Sequence, residues 1–165
     1  MWEMPSGILS MPALSLGLSL AVVAFGAQGE QLRPARARST ETFVGADLGV
    51  ALEYPSDWAV RREGPLVIFT PPQGPAIRLA PRATGDLSPG NFLRKHLLPN
   101  TRCSWTTNAH RVKARRCFDT LSFSHSADLV VRSPGGDERL ISLSVDQGGD
   151  LQAFDAIVAS VRPAS

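Results

Sequence analysis

Apolar and polar residues alternate in the stretch Gly49–Val60, around which the rest of the chain is organised. The alternation is the period-two pattern of a half-buried strand. Its inward-facing apolar residues are Val50, Leu52 and Tyr54. Pro55 cannot donate a backbone hydrogen bond, so we expect the strand to end there. Trp58 follows the turn and should bring a large apolar surface back onto the sheet.

Short apolar or alternating runs, bounded by Gly, Pro, Asn and Asp, predict further strands on both sides of this stretch. The predicted strands are Thr42–Gly45, Leu66–Thr70, Ala76–Ala80, Ser104–Thr107, Arg111–Phe118, Thr120–Phe123, Ala127–Arg132 and Arg139–Val145. Residues Ser133–Asp137 have the composition of a hairpin turn between the last two strands.

Two segments carry the apolar period of amphipathic helices. The first has Ser88 as its N-cap and Pro89 at its first position, and it ends before Pro99. The second, Leu151–Val161, follows Asp150 as its cap. Its apolar residues fall at i, i+3, i+4 and i+7, and they are Phe154, Ile157, Val158 and Val161. This order predicts an α+β fold, an antiparallel β-sheet flanked by helices.

The N-terminal residues differ from the rest of the chain. The first 29 residues contain no Lys or Arg, and Ile8–Phe25 is almost wholly apolar or small. This is typical of a secretory signal peptide, and the alternative is an uncleaved anchor, with residues 8–25 as a membrane tether. Residues 30–40 are polar and predict a linker, and residues 41–165 predict a single domain. Both alternatives predict export, to the periplasm, the medium or the outer side of a membrane.

The strand corner and the closing helix together resemble a known family. The matching residues are Tyr54, Pro55 and Trp58 in a YPxxW corner, and Phe154, Ile157, Val158 and Ser160 in the helix. Both features are similar to those of exported bacterial domains of the Mog1/PsbP-like superfamily. The resemblance covers Thr42–Val161 and implies an α/β/α sandwich around an antiparallel sheet. PsbP-type members act in photosystem assembly and Mog1 binds a small GTPase, but neither partner site maps onto this chain, so the resemblance implies the fold alone.

The chain has two cysteines, Cys103 and Cys117, and the residues between them can turn back near Asn108. In an oxidising compartment such a pair predicts a structural disulfide. The alternatives are a redox-active dithiol, which the spacing does not favour because it is not CxxC, and two free thiols in a chain that is not exported.

No catalytic or metal-binding constellation is indicated, and no cofactor is expected. The three histidines, His96, His110 and His125, have no second ligand at metal-binding spacing. Ser124–Asp128 contains serine, histidine and aspartate, but neighbouring residues of a strand point to opposite faces, so a triad is not predicted.

Charge is segregated along the chain, although the formal net charge is only +2. No Asp or Glu occurs from Leu87 to Phe118, whereas basic residues are frequent there. The predicted basic docking surface consists of Arg94, Lys95, Arg111, Lys113, Arg115 and Arg116, with Arg111, Lys113 and Arg115 on one strand face. A solvated face or a charge-guarded edge strand is the alternative interpretation.

These observations predict a non-catalytic binding or accessory domain of the cell envelope. Its partner would be an envelope protein, a lipid headgroup or an acidic polysaccharide that docks on the basic surface. Nucleic acid is disfavoured by export and by the scarcity of stacking aromatic residues. The alternatives are a small hydrolase whose site assembles only in the fold, and a purely structural envelope domain.

Overall fold

The computed structural model describes residues 38–96, 99–133 and 135–164, and within them the chain forms ten strands and two helices. The strands are β1 (Thr40–Gly45), β2 (Val50–Pro55), β3 (Ala59–Glu63), β4 (Leu66–Thr70), β5 (Ile77–Pro81), β6 (Thr101–Thr107), β7 (Lys113–Asp119), β8 (His125–Arg132), β9 (Glu138–Val145) and β10 (Arg162–Pro163). The helices are α1 (Pro89–Lys95) and α2 (Leu151–Ser160).

The strands form two sheets in which every pairing is antiparallel. A small sheet has the order β1-β2-β10. A seven-stranded sheet has the order β3-β4-β5-β9-β8-β7-β6, so two meanders meet where β9 pairs with β5. The predicted α+β class with an antiparallel sheet is therefore confirmed.

The hydrophobic core lies on one face of the seven-stranded sheet. Alternate residues of the central strands point into it, and α2 and β2 pack against each other as part of the same core. The largest fully buried side chains include Phe69, Leu79, Leu129, Leu143, Phe154 and Ile157. Burial of this apolar area is the main stabilising contribution.

The strand corner that begins at Gly49 forms as its sequence predicts. β2 ends at Pro55, and the Trp58 amide donates to the Pro55 carbonyl at 3.1 Å to close the turn. Trp58 and Tyr54 are both buried in the core. The Tyr54 ring also packs against Phe69, with ring centroids 5.3 Å apart. The corner therefore places two aromatic side chains in the hydrophobic core.

Three elements differ from prediction, and the simplest is the two-residue strand β10, Arg162–Pro163, which was not predicted. The segment Thr120–Phe123 is a turn between β7 and β8, not a strand, because Asp119 accepts hydrogen bonds from the amides of Leu121 and Ser122. Strand β3 was not predicted, because all of its residues are exposed and carry no apolar period. The expected helical residues Leu97 and Leu98, Pro134 of the predicted hairpin turn, and the N-terminal segments 1–29 and 30–37 lie outside the described residues.

Residues Ala37–Ser165 form one compact unit. Its core residues all fall between Phe43 and Val161, so the unit contains the whole of its own core, and we expect it to fold without the residues that precede it. Within the described ranges, neither helix has the length and apolar composition needed to cross a bilayer.

Candidate binding groove

The fold distributes the predicted basic residues among different settings. Arg94 and Lys95 are exposed in the last turn of α1. Lys113 is exposed at the start of β7, whereas Arg111 precedes that strand in a turn, with φ of +61°. The prediction of one strand face shared by Arg111, Lys113 and Arg115 is therefore wrong, because Arg111 is not part of the strand.

Arg115 is buried and is not part of any docking surface, which corrects the prediction made for it. It is only 2% exposed. Its Nη2 donates to Asp128 Oδ2 at 2.8 Å, and its Nη1 donates to the carbonyl oxygens of Leu93 at 2.6 Å and His96 at 3.0 Å. The guanidinium therefore neutralises a carboxylate and caps the C-terminal end of α1, where the helix dipole favours a cation.

Asp128 is the centre of this buried network. It is 2% exposed, and a second guanidinium, that of Arg82, lies 3.2 Å from its Oδ1. Arg82 also stands over the Phe92 ring of α1, 5.3 Å from the ring centroid. Because a buried carboxylate is costly without a cation, both arginines serve a structural purpose here. The network joins α1 to strands β7 and β8.

Arg116 is also occupied by an acidic partner. It alternates with Arg115 along β7, so its side chain lies on the other face of the sheet. There it forms an ion pair with Asp155 of α2, which offsets its charge. Of the six predicted basic residues, Arg94, Lys95, Arg111 and Lys113 remain exposed and without an acidic partner among the described residues.

Three adjoining cavities meet at Lys113, and together we call them the Lys113 groove. One of about 420 Å³ is lined by Ser88, Gly90, Arg94, Trp105, Lys113, Val130 and Glu138. A second of about 410 Å³ is lined by His110, Arg111, Val112, Lys113, Val130, Arg132, Glu138 and Pro163. A third of about 320 Å³ is lined by Trp105, Thr106, Thr107 and Lys113. Strand register explains their junction, because Lys113 pairs with Thr107 on one side and with Val130 on the other.

The Lys113 groove carries an excess of positive charge beside one aromatic ring. Its cationic residues are Arg94, Arg111, Lys113 and Arg132, and its acidic residue is Glu138. Glu138 accepts a 2.7 Å hydrogen bond from Arg132, so these two charges offset each other. The ring is that of Trp105, which is 53% exposed. Trp105, Arg132 and Glu138 were not predicted, because only the cross-strand register brings them next to Lys113.

One side chain holds the turn at the end of the groove. The Asn108 side-chain carbonyl accepts from the amides of His110 at 3.0 Å and Val112 at 3.0 Å. Its amide group donates to the Val161 carbonyl at 2.7 Å, just beyond the end of α2. The turn that carries His110 and Arg111 is therefore fixed both within itself and to α2.

Among the described residues, the histidines are not brought together with a hydroxyl or thiol as a nucleophilic site would require. His110 lines a groove cavity with Glu138, but that carboxylate is paired with Arg132, and no hydroxyl or thiol is among the described lining residues of the cavity. His125 packs against the Phe118 ring, with ring centroids 4.8 Å apart, and His96 stacks on Phe92 at 3.9 Å. Among the described residues, no group of three or more His, Cys, Asp and Glu side chains is placed to hold a metal ion.

The predicted disulfide between Cys103 and Cys117 is present. The two residues are direct cross-strand partners on β6 and β7, with Cα atoms 4.1 Å apart. Their hairpin is the one that turns at Asn108, as predicted, and it carries Trp105 and Lys113 of the groove. The cross-link therefore ties together the two strands that form one wall of the groove.

Comparison with known proteins identifies no family. No protein-family model matches the chain, and no curated protein matches it. One solved structure with similarity is a crystal structure at 1.50 Å resolution of a protein from Bacteroides thetaiotaomicron VPI-5482, with 14% sequence identity and a TM-score of 0.45. The match covers 76% of this chain and 48% of that chain, so this chain spans about half the length of that structure.

Proposed function

We propose that this chain is an exported, non-catalytic binding domain of the cell envelope and that its Lys113 groove docks an anionic partner. The observation that carries the proposal is the convergence of three cations on cavities that adjoin at Lys113, two of which are also lined by Trp105. These cations, which have no acidic partner among the described residues, are Arg94, Arg111 and Lys113. Clefts lined by one sign of charge concentrate the field and attract ligands of the opposite sign.

An acidic polysaccharide fits this groove best among anionic partners. The three cavities adjoin, so a ligand can extend along the groove and meet more than one cation. The face of an exposed indole ring packs against the C–H groups of a sugar ring, while Lys and Arg side chains pair with carboxylates. Trp105 and Lys113 line the same two cavities and offer both kinds of contact to one sugar unit.

Export is supported by two independent features. The Cys103–Cys117 disulfide is compatible with an oxidising compartment. The apolar run Ile8–Phe25 is typical of a signal peptide or an anchor. We also propose that the fold is an α/β/α sandwich of the Mog1/PsbP-like type. In support, Arg115 contacts α1 from one face of β7, whereas Arg116, the next residue, contacts α2 from the other face.

The proposal is tested by binding of polygalacturonate, an acidic polysaccharide, to the wild-type chain and to a triple variant Arg94→Ser, Arg111→Ser and Lys113→Ser. Calorimetry at low ionic strength should show saturable binding by the wild type and at least a tenfold weaker affinity for the variant, because about three charge-assisted contacts are removed. Binding should also weaken as salt is added.

A matched triple variant removes the same number of charges elsewhere, through Arg61→Ser, Arg78→Ser and Arg102→Ser. These residues are exposed and lie outside the groove cavities, so affinity should change little. A Trp105→Ala variant should bind more weakly and lose the fluorescence change that accompanies binding. Equal losses in both triple variants would show that only net charge matters and would overturn the assignment to the groove.

A further inference from the structure

The loop between β7 and β8, residues 120–124, holds two large apolar side chains in solvent. Leu121 is 71% exposed and Phe123 is 52% exposed. Single apolar residues on a surface are ordinary, but these two share the tip of one hairpin. The tip is at the opposite end of β7 from Lys113, which opens that strand, so it is separate from the Lys113 groove.

The loop is fixed by hydrogen bonds that hold this tip in one shape. Asp119 Oδ1 accepts from the amides of Leu121 at 2.8 Å and Ser122 at 3.3 Å, and the Asp119 amide donates to the Ser124 carbonyl at 3.0 Å. These amides hold the pKa of the Asp119 carboxyl below its usual value, so the carboxylate that organises the loop stays ionised at neutral pH. The Thr120 hydroxyl fixes the neighbouring chain by donating to the Asn100 carbonyl at 2.8 Å.

The backbone at Phe123 does not favour the residue that is found there. Its φ is +53°, in the left-handed region that Gly and Asn adopt readily and that is costly for bulky residues. The Phe118 ring makes one contact with it, at a centroid distance of 6.2 Å, and half of the side chain remains in solvent. Since neither backbone nor core requires a phenyl ring at this position, the exposed ring itself points to a binding role.

The described part of the chain begins near the same end of the sheet. His125, which follows the loop, pairs with Val145 at the end of β9. Asp150 lies shortly beyond Val145 and binds Arg38 at 2.8 Å. Arg38 is the first described residue, and the sequence before it contains the run Ile8–Phe25. The first described residue of the chain is therefore at the end of the domain that carries Leu121 and Phe123.

We propose that Leu121 and Phe123 insert into the surface of a lipid bilayer and orient the domain on it. A stable protein interface buries about 800 Å² on each partner, which two side chains on a convex tip do not supply. A bilayer surface requires only that apolar side chains reach below the headgroups. Arg102, exposed on β6 opposite Phe118, adds one positive charge for anionic headgroups.

The test uses the self-contained unit Ala37–Ser165, with its disulfide formed, and vesicles of phosphatidylethanolamine and phosphatidylglycerol. Sedimentation with vesicles should show binding that falls about tenfold or more in a variant with Leu121→Ser and Phe123→Asn, because the apolar area that enters the bilayer is lost. Asparagine tolerates the left-handed backbone, so the variant should unfold in urea at a midpoint no lower than that of the wild type. Val44→Ser is the matched control, since Val44 is 59% exposed on β1, away from this loop, and its binding should stay within about twofold of the wild type.

A gain-of-signal variant, Leu121→Trp, gives a second measurement. Its tryptophan fluorescence should shift to shorter wavelength when vesicles are added, and brominated lipids should quench that fluorescence. The background fluorescence from Trp58 and Trp105 is measured in the parent unit. The proposal is overturned if the parent unit does not bind vesicles, or if Val44→Ser loses as much binding as the double variant. Capture of an envelope protein by a unit that does not bind vesicles would assign the tip to that protein instead of a bilayer, provided that the double variant loses the capture.

Discussion

The two helices are joined to the rest of the protein by different chemistry. Helix α2 buries an apolar stripe in the core, formed by Ala153, Phe154, Ile157 and Val158. Helix α1 buries one large apolar side chain, that of Leu93, together with Pro89. It is otherwise held by Arg115 at its C-terminal carbonyls and by Arg82 over Phe92.

On the face of the sheet that carries α2, apolar burial provides stability. On the face that carries α1, directional contacts fix the position of the helix. Apolar contacts are non-directional, so α2 can tolerate small shifts without a large loss. Hydrogen bonds from Arg115 are directional, and they fix the position of the helix turn that carries Arg94. Since Arg94 lines the Lys113 groove, the charged network supports the shape of that groove.

The largest expected effect on stability comes from removing a buried apolar side chain of α2. Phe154 is 1% exposed, so Phe154→Ala should lower the free energy of unfolding by about 4 kcal/mol through lost transfer energy and the cavity left behind. Urea unfolding followed by circular dichroism measures the loss. Leu151→Ala, in the same helix but at a position that is 41% exposed, should cost less than about 1 kcal/mol. Equal costs for the two would mean that α2 does not pack as described.

Removing the buried carboxylate that pairs with Arg115, beside α1, should lower the free energy of unfolding by slightly less. The cause here is a lost counter-charge, not a lost apolar contact. Asp128→Ala leaves the Arg115 guanidinium buried without its counter-charge, which should destabilise the protein by about 3 kcal/mol. Hydrogen exchange should show faster opening of α1 amides, with α2 amides affected only through global unfolding.

A double variant separates charge from packing at this site. Replacing the pair together, by Arg115→Met and Asp128→Leu, should restore most of the lost stability, because no unpaired buried charge remains. Asp155→Ala is the control, since it removes a carboxylate from the more exposed pair with Arg116 and should cost less than about 1 kcal/mol. A double variant as unstable as Asp128→Ala would contradict the electrostatic explanation.

The smallest expected effect concerns the start of α2. The Asp150 side chain accepts from the Ala153 amide at 2.9 Å, and this bond, followed by the contact with Arg38, holds the pKa of Asp150 below 3.8. Asp150→Ala should cost about 1 kcal/mol at neutral pH. Because the folded pKa is lower than the unfolded one, the contribution of the ionised group is complete above pH 3.8 and is lost as the pH falls through the folded value.

The difference in stability between wild type and Asp150→Ala should therefore shrink only in acid. Urea midpoints measured at about pH 7 and about pH 2.5 compare the two conditions. Asp146→Ala provides the control, because its exposed pair with Arg78 should contribute little at either pH. A difference that stays constant down to about pH 2.5 would show that the cap does not act through its charge.

The sequence predicts the apolar core with α2 better than it predicts the charged network beside α1. The closing helix and the Trp58 corner follow from periodicity and turn chemistry, which are local, and both are present. The strand pattern alone could not show that Arg115 is buried and Lys113 is exposed, because both side chains lie on the same face of β7. Only the placement of α1 over that face buries Arg115. The signal available was Asp128, an acid between two apolar residues of a strand, which indicates a buried cationic partner.

The limits of a local sequence pattern also explain why the Lys113 groove and the loop of residues 120–124 were not predicted. Arg94, Arg111 and Lys113 were predicted as basic residues, but the cavities that adjoin at Lys113, and the presence of Trp105 in two of them, depend on the register of β6 and β7 and on the placement of α1. The segment Thr120–Phe123 was predicted as a strand because of its apolar residues, and it is a turn because Asp119 binds its amides. Side-chain hydrogen bonds of this kind compete with strand pairing and leave little trace in an apolar pattern.

The hydrogen bond from Asn108 to Val161 has a consequence for the time at which the groove can form. A ribosome makes the chain from its N-terminus, and the turn that carries His110 and Arg111 emerges well before the carbonyl that anchors it. The last wall of the groove includes Pro163, two residues beyond that carbonyl. A partly synthesised chain therefore has no finished groove until its last residues, including Pro163, have been added.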